Sequence, residues 1–155
     1  MATALVDLYG GKQFEPFDRL ILAEGYRPTE REEFMCLAHR AYFLHKLTAW
    51  KESIIEESRA TMAQLQVDSL REPDLADRAA NETDWSIELR TRDRQRKLIA
   101  KIDCAIRRIY DCEYGYCEVT GDAITLARLE ARPIATMTLE AQEQHERAER
   151  LSRDD

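Results

Sequence analysis

The 155-residue sequence lacks any long uninterrupted apolar run and has no signal-peptide pattern at its N-terminus. A membrane-spanning helix needs roughly 18 or more apolar residues in succession, and export needs a short leader with a charged and an apolar part. We therefore expect a cytoplasmic protein with no membrane association. Thiols stay reduced in that compartment, so the four cysteines are not expected to form disulfides.

Glycine and proline are scarce, with 5 and 4 residues respectively, and they are clustered. Neither occurs in the 44 residues from Thr29 to Glu72 or in the 41 residues from Asp74 to Tyr114. Pro73 alone separates these two runs. Because both residue types disrupt helix interiors, this arrangement predicts two long helices joined as a hairpin.

The apolar residues of both runs recur at coiled-coil spacings. They are Leu44, Leu47, Trp50 and Ile54 in the first run, and Leu98, Ile102, Ala105 and Ile109 in the second. Thr29 and Glu32 have the spacing of a capping box for the first helix, and Asp74 is a natural N-cap for the second. The predicted fold class is mainly α, with a long antiparallel helical hairpin, or coiled coil.

The predicted organisation has four segments. An N-terminal arm, residues 1–33, packs on a globular lobe, and the hairpin covers residues 34–111 with its tip near 70–79. The lobe covers residues 112–137, and a C-terminal helix covers residues 138–155. We expect the arm, the lobe and the last helix to pack together at the open end of the hairpin.

Overall basic character is also missing, since the formal net charge is -7. A protein that acts mainly through nucleic-acid phosphates is usually basic, so this mode of action is not expected. The second run is acidic from Glu72 to Glu88, with six acids against one base, and basic from Arg90 to Arg108, with eight bases against two acids. The helix dipole favours acids only in the first turn. The acidic end of the second run is therefore a candidate interaction surface.

A complete four-cysteine zinc site is absent as well. The spacings between Cys36, Cys104, Cys112 and Cys117 match no such site. A frame with C-x2-C at each end of a 17-residue spacer nevertheless falls on Cys117, Thr120, Thr138 and Ala141. Because threonine and alanine can fill the space by packing and hydroxyl hydrogen bonds, we predict a degenerate, zinc-ribbon-like lobe that folds without a metal or a covalent cofactor.

Two segments resemble the DksA family of bacterial transcription factors, of the DksA/TraR type. They are EPDLADRAANETDWSIELRTRDRQRKLIAKID at the predicted tip and DCEYGYCEVTGDAITLARLEARP in the lobe. The tip signature of that family, D-x-x-D-x-A, falls on Asp74, Asp77 and Ala79. The resemblance covers roughly Tyr26 to the C-terminus, and it indicates a variant that lacks most of the zinc-ligand cysteines.

The resemblance implies a protein that binds RNA polymerase and is not an enzyme. Proteins of this family insert the hairpin through the secondary channel of the polymerase, so that the tip approaches the active site. With the alarmone ppGpp they modulate initiation in the stringent response, inhibiting ribosomal RNA promoters and activating others. The implied polymerase contacts are Asp74, Asp77 and Ala79 at the tip and Arg94 on the shaft. We expect a monomer without sequence-specific DNA binding.

The resemblance also implies a ppGpp site at the polymerase interface, formed by Leu98, Lys101, Arg128 and Arg132. Several cations suit clustered phosphates, and Leu98 would add an apolar contact. Gln142 stands where the best-known members have a further lysine on the last helix. The loss of that cation predicts weaker ppGpp binding.

Two other classes of function stay open at this point. Cys112 and Cys117 have C-x4-C spacing, not the C-x-x-C of thioredoxin-like enzymes, so catalysis is not expected, but a redox-responsive scaffold built on Cys117 is an alternative. A plain coiled-coil interaction protein is the other alternative; it explains the apolar spacing but not the acidic tip. Cys117 and His145 together would supply only two ligands of a tetrahedral zinc site.

Overall fold

The computed structural model describes the backbone of residues 20–69 and 75–153, and the side chains of those ranges except 61–69, 75–85 and 153. Four helices are present in this part of the chain: α1 (Leu37–Ser69), α2 (Leu75–Tyr110), α3 (Leu126–Ala131) and α4 (Leu139–Arg153). Among these residues, extended backbone pairs only at one isolated antiparallel bridge, between Tyr116 and Ala123. The mainly α fold class is confirmed.

The chain divides into two compact units. The hairpin unit is Thr48–Asp103, and the base unit joins Met1–Leu47 to Cys104–Asp155. Within the described residues, no helix combines the length and the apolar character that crossing a membrane requires.

The hairpin unit pairs the later part of α1 with the earlier part of α2 in antiparallel fashion. Lys51, near the start of the unit, lies with its Nζ 2.6 Å from Oδ1 of Asp103, at the end of the unit. Ile54 and Ile102 are buried between the helices, whereas Trp50 is half-buried. The apolar spacing of the two runs thus corresponds to a real seam, because the residues that recur every three or four positions share one helix face.

The start of α1 differs from the prediction. Thr29 and Glu32 do pair, with the backbone nitrogen and Oγ1 of Thr29 at 3.1 and 3.0 Å from Oε2 of Glu32. The helix nevertheless begins only at Leu37, because Met35 has a φ of 54°, in the left-handed region, which interrupts helical geometry. The capping-box contacts therefore close a local turn ahead of the helix. The predicted N-cap of α2, Asp74, lies outside the described residues.

The base unit has a core to which the start of α1, the end of α2 and the lobe all contribute. Phe43, Ile109, Ile124 and Leu129 are fully buried. The ring of Tyr114 lies 5.4 Å from that of Phe43, and its hydroxyl donates to the carbonyl oxygen of Pro133 over 2.7 Å. The lobe is therefore anchored on the ends of both long helices.

Glu130, on α3, connects the lobe to α1. Its Oε1 lies 2.7 Å from Nζ of Lys46 and accepts a 2.9 Å hydrogen bond from the hydroxyl of Tyr42. Lys46 also donates to the carbonyl oxygen of Glu130 over 2.8 Å. Burial alone would raise the pKa of Glu130, but the hydrogen bonds from Lys46 and Tyr42 outweigh it and hold the pKa below its usual value. The carboxylate is therefore ionised and fixes the position of α3.

Arg108, which is buried, ties the end of α2 to the turn that follows. Its Nη2 donates to the carbonyl oxygens of Glu113 and Tyr116 over 3.1 and 2.6 Å. Its Nη1 lies 3.2 Å from Oε1 of Glu118. The chain reverses here through Gly115, whose φ is 90°; a Cβ at this position would lie 2.7 Å from the side chain of Met35. This close approach explains why glycine is needed at the turn.

Candidate functional site

The predicted tip contacts lie at the start of α2, where the structure describes little. Asp74 lies outside the described residues. Asp77 and Ala79 lie in the first two turns of α2, and only their backbone is described. Their helical backbone agrees with the long helix predicted after Pro73. Their role as polymerase contacts stays a prediction.

The predicted shaft residues lie further along α2, in the hairpin unit. Arg94, Leu98 and Lys101 follow one another at spacings of four and three residues, so they share one face of the helix. Arg94 and Lys101 are exposed and Leu98 is half-buried. The arrangement presents two cations beside the edge of an apolar seam, which is suitable for an anionic or protein partner.

The other two residues of the predicted ppGpp set lie in the base unit. Arg128 is half-buried on α3, and Arg132 is exposed at the end of that helix, where its backbone N–H caps the carbonyl of Arg128. The guanidinium of Arg128 donates through Nε to the carbonyl oxygen of Met137 over 3.0 Å and through Nη2 to Oε1 of Gln142. Gln142 thus accepts from Arg128, which a lysine at that position would be unable to do.

The four positions of the degenerate zinc frame come from two segments of the base unit. Cys117 and Thr120 belong to a tight turn, in which Gly121 N–H donates to the carbonyl of Cys117 over 2.9 Å and Cys117 N–H donates to the carbonyl of Asp122 over 2.8 Å. Thr138 precedes α4, and its Oγ1 accepts a 3.3 Å hydrogen bond from the N–H of Ala141, which is buried.

The sulfur of Cys117 is the point where three of these positions meet. The side chain is 4% exposed. It accepts hydrogen bonds from the hydroxyl of Thr120 and from the backbone N–H groups of Thr120, Thr138 and Val119. Burial alone would raise the pKa of Cys117, but these donors outweigh it and lower the pKa to about 6. Cys117 is therefore a buried thiolate near neutral pH, stabilised by these hydrogen bonds.

A zinc ion does not fit these four residues. A zinc site needs at least three protein donors, and the frame offers one sulfur, two hydroxyl groups and a methyl group. Both hydroxyl groups are engaged, because Thr120 donates to the sulfur and Thr138 accepts from Ala141. The threonines complete a hydrogen-bonded turn and do not serve as substitute ligands.

A cluster of three side chains that could bind a metal lies just ahead of α1 and in its first turn. Glu32, Cys36 and His39 bring one carboxylate oxygen, one sulfur and one ring nitrogen within 4.8 Å of one another. The interval of three residues from Cys36 to His39 was a visible signal, whereas Glu32 lies in the turn ahead of Met35 and approaches the other two through that local fold. The cluster was not predicted, because Cys36 was compared only with the other cysteines and not with the carboxylate and imidazole near it in the sequence.

Two family sequence models match the chain. The model described as "DnaK suppressor protein DksA, N-terminal domain" matches residues 39–109. The model described as "Prokaryotic dksA/traR C4-type zinc finger" matches residues 113–147. The second match includes the Cys117 turn, although this chain keeps one of the four cysteines that the description implies.

Several curated proteins and a solved structure are similar over most of the chain. A protein of Caulobacter vibrioides, named RNA polymerase-binding transcription factor DksA, is 60% identical over 136 residues, which are 88% of this chain and 96% of that protein. The Escherichia coli K12 protein of the same name is 41% identical over 117 residues, 76% of this chain and 78% of that one. The structure of transcription factor DksA2 from Pseudomonas aeruginosa superposes with a TM-score of 0.70 at 35% identity, covering 76% of this chain and 90% of that one.

Proposed function

The chain belongs to the DksA family of RNA polymerase-binding transcription factors, and from this membership we propose that it binds RNA polymerase and regulates transcription. The observation that carries the proposal is the 60% identity over 136 residues to a protein with that name. The relatives are transcription factors, not enzymes, in agreement with the prediction from the sequence.

The mode of binding that we propose is entry of the helical hairpin into the secondary channel of the polymerase. Two long helices, α1 and α2, are joined by only five residues, 70–74, so a narrow two-helix element is available for this purpose. In this proposal Asp74, Asp77 and Ala79 act close to the polymerase active site, and Arg94 contacts the polymerase from its exposed position on α2.

We further propose that ppGpp strengthens the effect, bound at the polymerase interface with Leu98, Lys101, Arg128 and Arg132. Exposed Lys101 and Arg132 supply cations that are accessible to phosphates. Arg128 already donates to Gln142 and Met137, so its guanidinium can offer only its remaining donors to a ligand. We therefore expect ppGpp to act through this chain, but with one cation fewer than in members that carry a lysine in place of Gln142.

The lobe is proposed to fold without zinc at the Cys117 frame. The support is the hydrogen bonding of the sulfur, which satisfies the thiolate without a metal. We also propose that the protein acts in the cytoplasm as a monomer and does not read DNA sequence. The net charge of -7 supports the last point, because phosphate-backbone binding favours basic proteins.

A thiol-based redox response remains the second candidate, because the pKa of Cys117 is lowered to about 6 and thiolates are the form that oxidants attack. The burial of the sulfur opposes it, since only 4% of the residue is exposed. Promoter inhibition that changes after mild peroxide treatment, and no longer does so in Cys117→Ser, would favour this candidate.

The test is in vitro transcription from a ribosomal RNA promoter, with and without ppGpp, using protein pretreated with a chelator that is then removed. We expect inhibition that ppGpp increases and that chelator treatment does not abolish. In parallel, core RNA polymerase is incubated with the tagged chain and retained protein is measured. Absence of both binding and inhibition would reject the proposal in favour of a coiled-coil scaffold, whereas binding with ppGpp-independent inhibition would reject only the ppGpp site.

A further inference from the structure

We propose that Glu32, Cys36 and His39 form a binding site for a divalent transition metal ion of the zinc type, distinct from the Cys117 frame. The site lies in the base unit, where a turn leads into α1. One carboxylate oxygen, one sulfur and one ring nitrogen lie within 4.8 Å of one another. The proposal concerns the stability of this unit and does not depend on polymerase binding.

The local backbone explains why the three side chains converge. Glu32 closes the turn that begins at Thr29, with the N–H and the hydroxyl of Thr29 donating to its Oε2. Cys36 stands directly before α1 and accepts the helical hydrogen bond from Arg40 N–H over 3.0 Å. His39 lies in the first turn of α1. Thr29 thus holds the carboxylate, and helical hydrogen bonding holds the backbone that carries the thiol and the imidazole.

His39 has the burial and the hydrogen bonding expected of a potential metal ligand. It is fully buried, and its Nε2 lies 3.2 Å from Oε2 of Glu32. Its Nδ1 is buried and makes no hydrogen bond within the described part of the chain. Because a carboxylate only accepts, the contact with Glu32 selects the tautomer with the proton on Nε2, and ligation of a metal through Nε2 would displace that proton.

The hydroxyl of Tyr26 helps to position the carboxylate of Glu32. The hydroxyl of Tyr26 lies 3.0 Å from both carboxylate oxygens. Partners of this kind orient ligands in metal sites and raise the precision of the geometry. Oε2 is contacted by Thr29, His39 and Tyr26, whereas Oε1 is contacted by the hydroxyl of Tyr26, which leaves lone-pair capacity on Oε1 for a metal.

The donor set selects the class of metal. Calcium and magnesium take oxygen ligands, whereas a set of thiolate, imidazole and carboxylate suits zinc and related divalent transition metals. Ligand atoms around tetrahedral zinc are roughly 3.3–3.7 Å apart, given bonds of about 2.0–2.3 Å. Oε2 of Glu32 and Nε2 of His39 are 3.2 Å apart, so the two groups already stand at about the separation of neighbouring ligands, and a rotation of the carboxylate would present Oε1. Cys36 is half-buried, and a change of side-chain rotamer would bring its sulfur toward the pair. Three protein ligands leave a fourth position for water.

The position of the site suggests its effect. Met35, next to Cys36, packs against Gly115 of the lobe, and Phe34 makes an edge-to-face contact with Tyr116 at 5.4 Å between ring centroids. A metal that joins Glu32 to the first turn of α1 would therefore hold this packed segment in place. The expected consequence is higher thermal stability of the base unit when the metal is bound.

The experiment is a titration of the full-length, reduced, chelator-treated protein with Co²⁺, followed by displacement with Zn²⁺. We expect a sulfur-to-cobalt charge-transfer band that saturates near one equivalent and is removed by Zn²⁺. Cys36→Ser should abolish the band, and Glu32→Gln should weaken Co²⁺ binding at least about tenfold. Zn²⁺ should raise the melting temperature of the unsubstituted chain and leave that of Cys36→Ser unchanged.

The matched control is Cys117→Ser, which removes the thiol of the degenerate frame and should leave the Co²⁺ band intact. Circular dichroism of each variant verifies that it is folded, and both substitutions are expected to be tolerated because Cys36 and Glu32 are only half-buried. The proposal is overturned if the unsubstituted chain gives no charge-transfer band, if the band survives Cys36→Ser, or if Cys117→Ser removes it.

Discussion

The base unit and the hairpin unit use their polar side chains in different ways. In the base unit, single side chains connect separate segments: Glu130 joins α3 to α1, and Arg108 joins α2 to the turn beyond it. In the hairpin unit, Arg94 and Lys101 are exposed on α2, beside an apolar seam that contains Ile54 and Ile102. Internal partners thus constrain the polar residues of the base, whereas exposed cations of the hairpin are available to another molecule.

The largest effect is expected at the tip of the hairpin. Asp77→Asn removes a charge without changing the size of the side chain, so it should abolish promoter inhibition while binding to RNA polymerase largely survives. The measurement is a reconstituted transcription assay together with retention on core polymerase. Asp93→Asn, the same substitution at an exposed position further along α2, is the control and should inhibit normally. Full inhibition by Asp77→Asn would contradict the proposed role of the hairpin tip in promoter inhibition.

A smaller but measurable contrast concerns stability. Leu129→Ala empties space in the fully buried core of the base unit and should lower the free energy of unfolding by about 2–5 kcal/mol. Ile87→Ala truncates a side chain that is 55% exposed on α2, and should change the free energy of unfolding by no more than about 0.5 kcal/mol. Urea denaturation followed by circular dichroism compares the two. Similar losses would mean that Ile87 is buried in solution, for example by self-association.

The smallest effect depends on pH and lies in the Cys117 turn. Because the pKa of Cys117 is lowered from 9.0 to about 6 in the folded chain, the thiolate stabilises the fold fully above about pH 9, and this contribution disappears as the pH falls through about 6. Cys117→Ser should therefore cost more stability at high pH than at low pH, by an amount on the order of a few kcal/mol at most.

Urea denaturation of Cys117→Ser and of the unsubstituted chain across this pH range measures the difference. Thiolate absorbance in the ultraviolet gives an independent titration, with a midpoint near 6 that is missing from Cys117→Ser. Cys112→Ser is the control, because Cys112 is exposed. A stability difference that stays constant with pH would show that the hydrogen bonds to the sulfur serve packing alone.

The long helices were predictable because their signal is repeated many times along the chain. The runs without glycine or proline and the steps of three and four residues identified α1 and α2, and Leu47, Ile54, Ile102 and Ile109 are buried as this spacing predicts. The start of α1 was placed too early. Thr29 and Glu32 make local capping contacts whether or not a helix follows, and nothing in the local sequence announces the left-handed φ of Met35.

The candidate sites were predictable to different extents. The frame of Cys117, Thr120, Thr138 and Ala141 followed from spacing, and hydroxyl hydrogen bonds were predicted there in general, without the sulfur of Cys117 as the acceptor for Thr120. The backbone donors from Val119 and Thr138 were not predictable, because they depend on how two distant segments turn toward one sulfur. The contact of Arg128 with Gln142 likewise depends on the placement of α3 against α4, which short-range patterns do not encode.

Arg108 has a consequence for how the lobe depends on its surroundings. Its guanidinium gathers two carbonyl oxygens and one carboxylate around a single cation, as a metal centre would, but the cation is part of the polypeptide. No chelator can withdraw it, because the guanidinium is covalently part of the chain. The junction between α2 and the Cys117 turn is therefore assembled from the chain's own atoms.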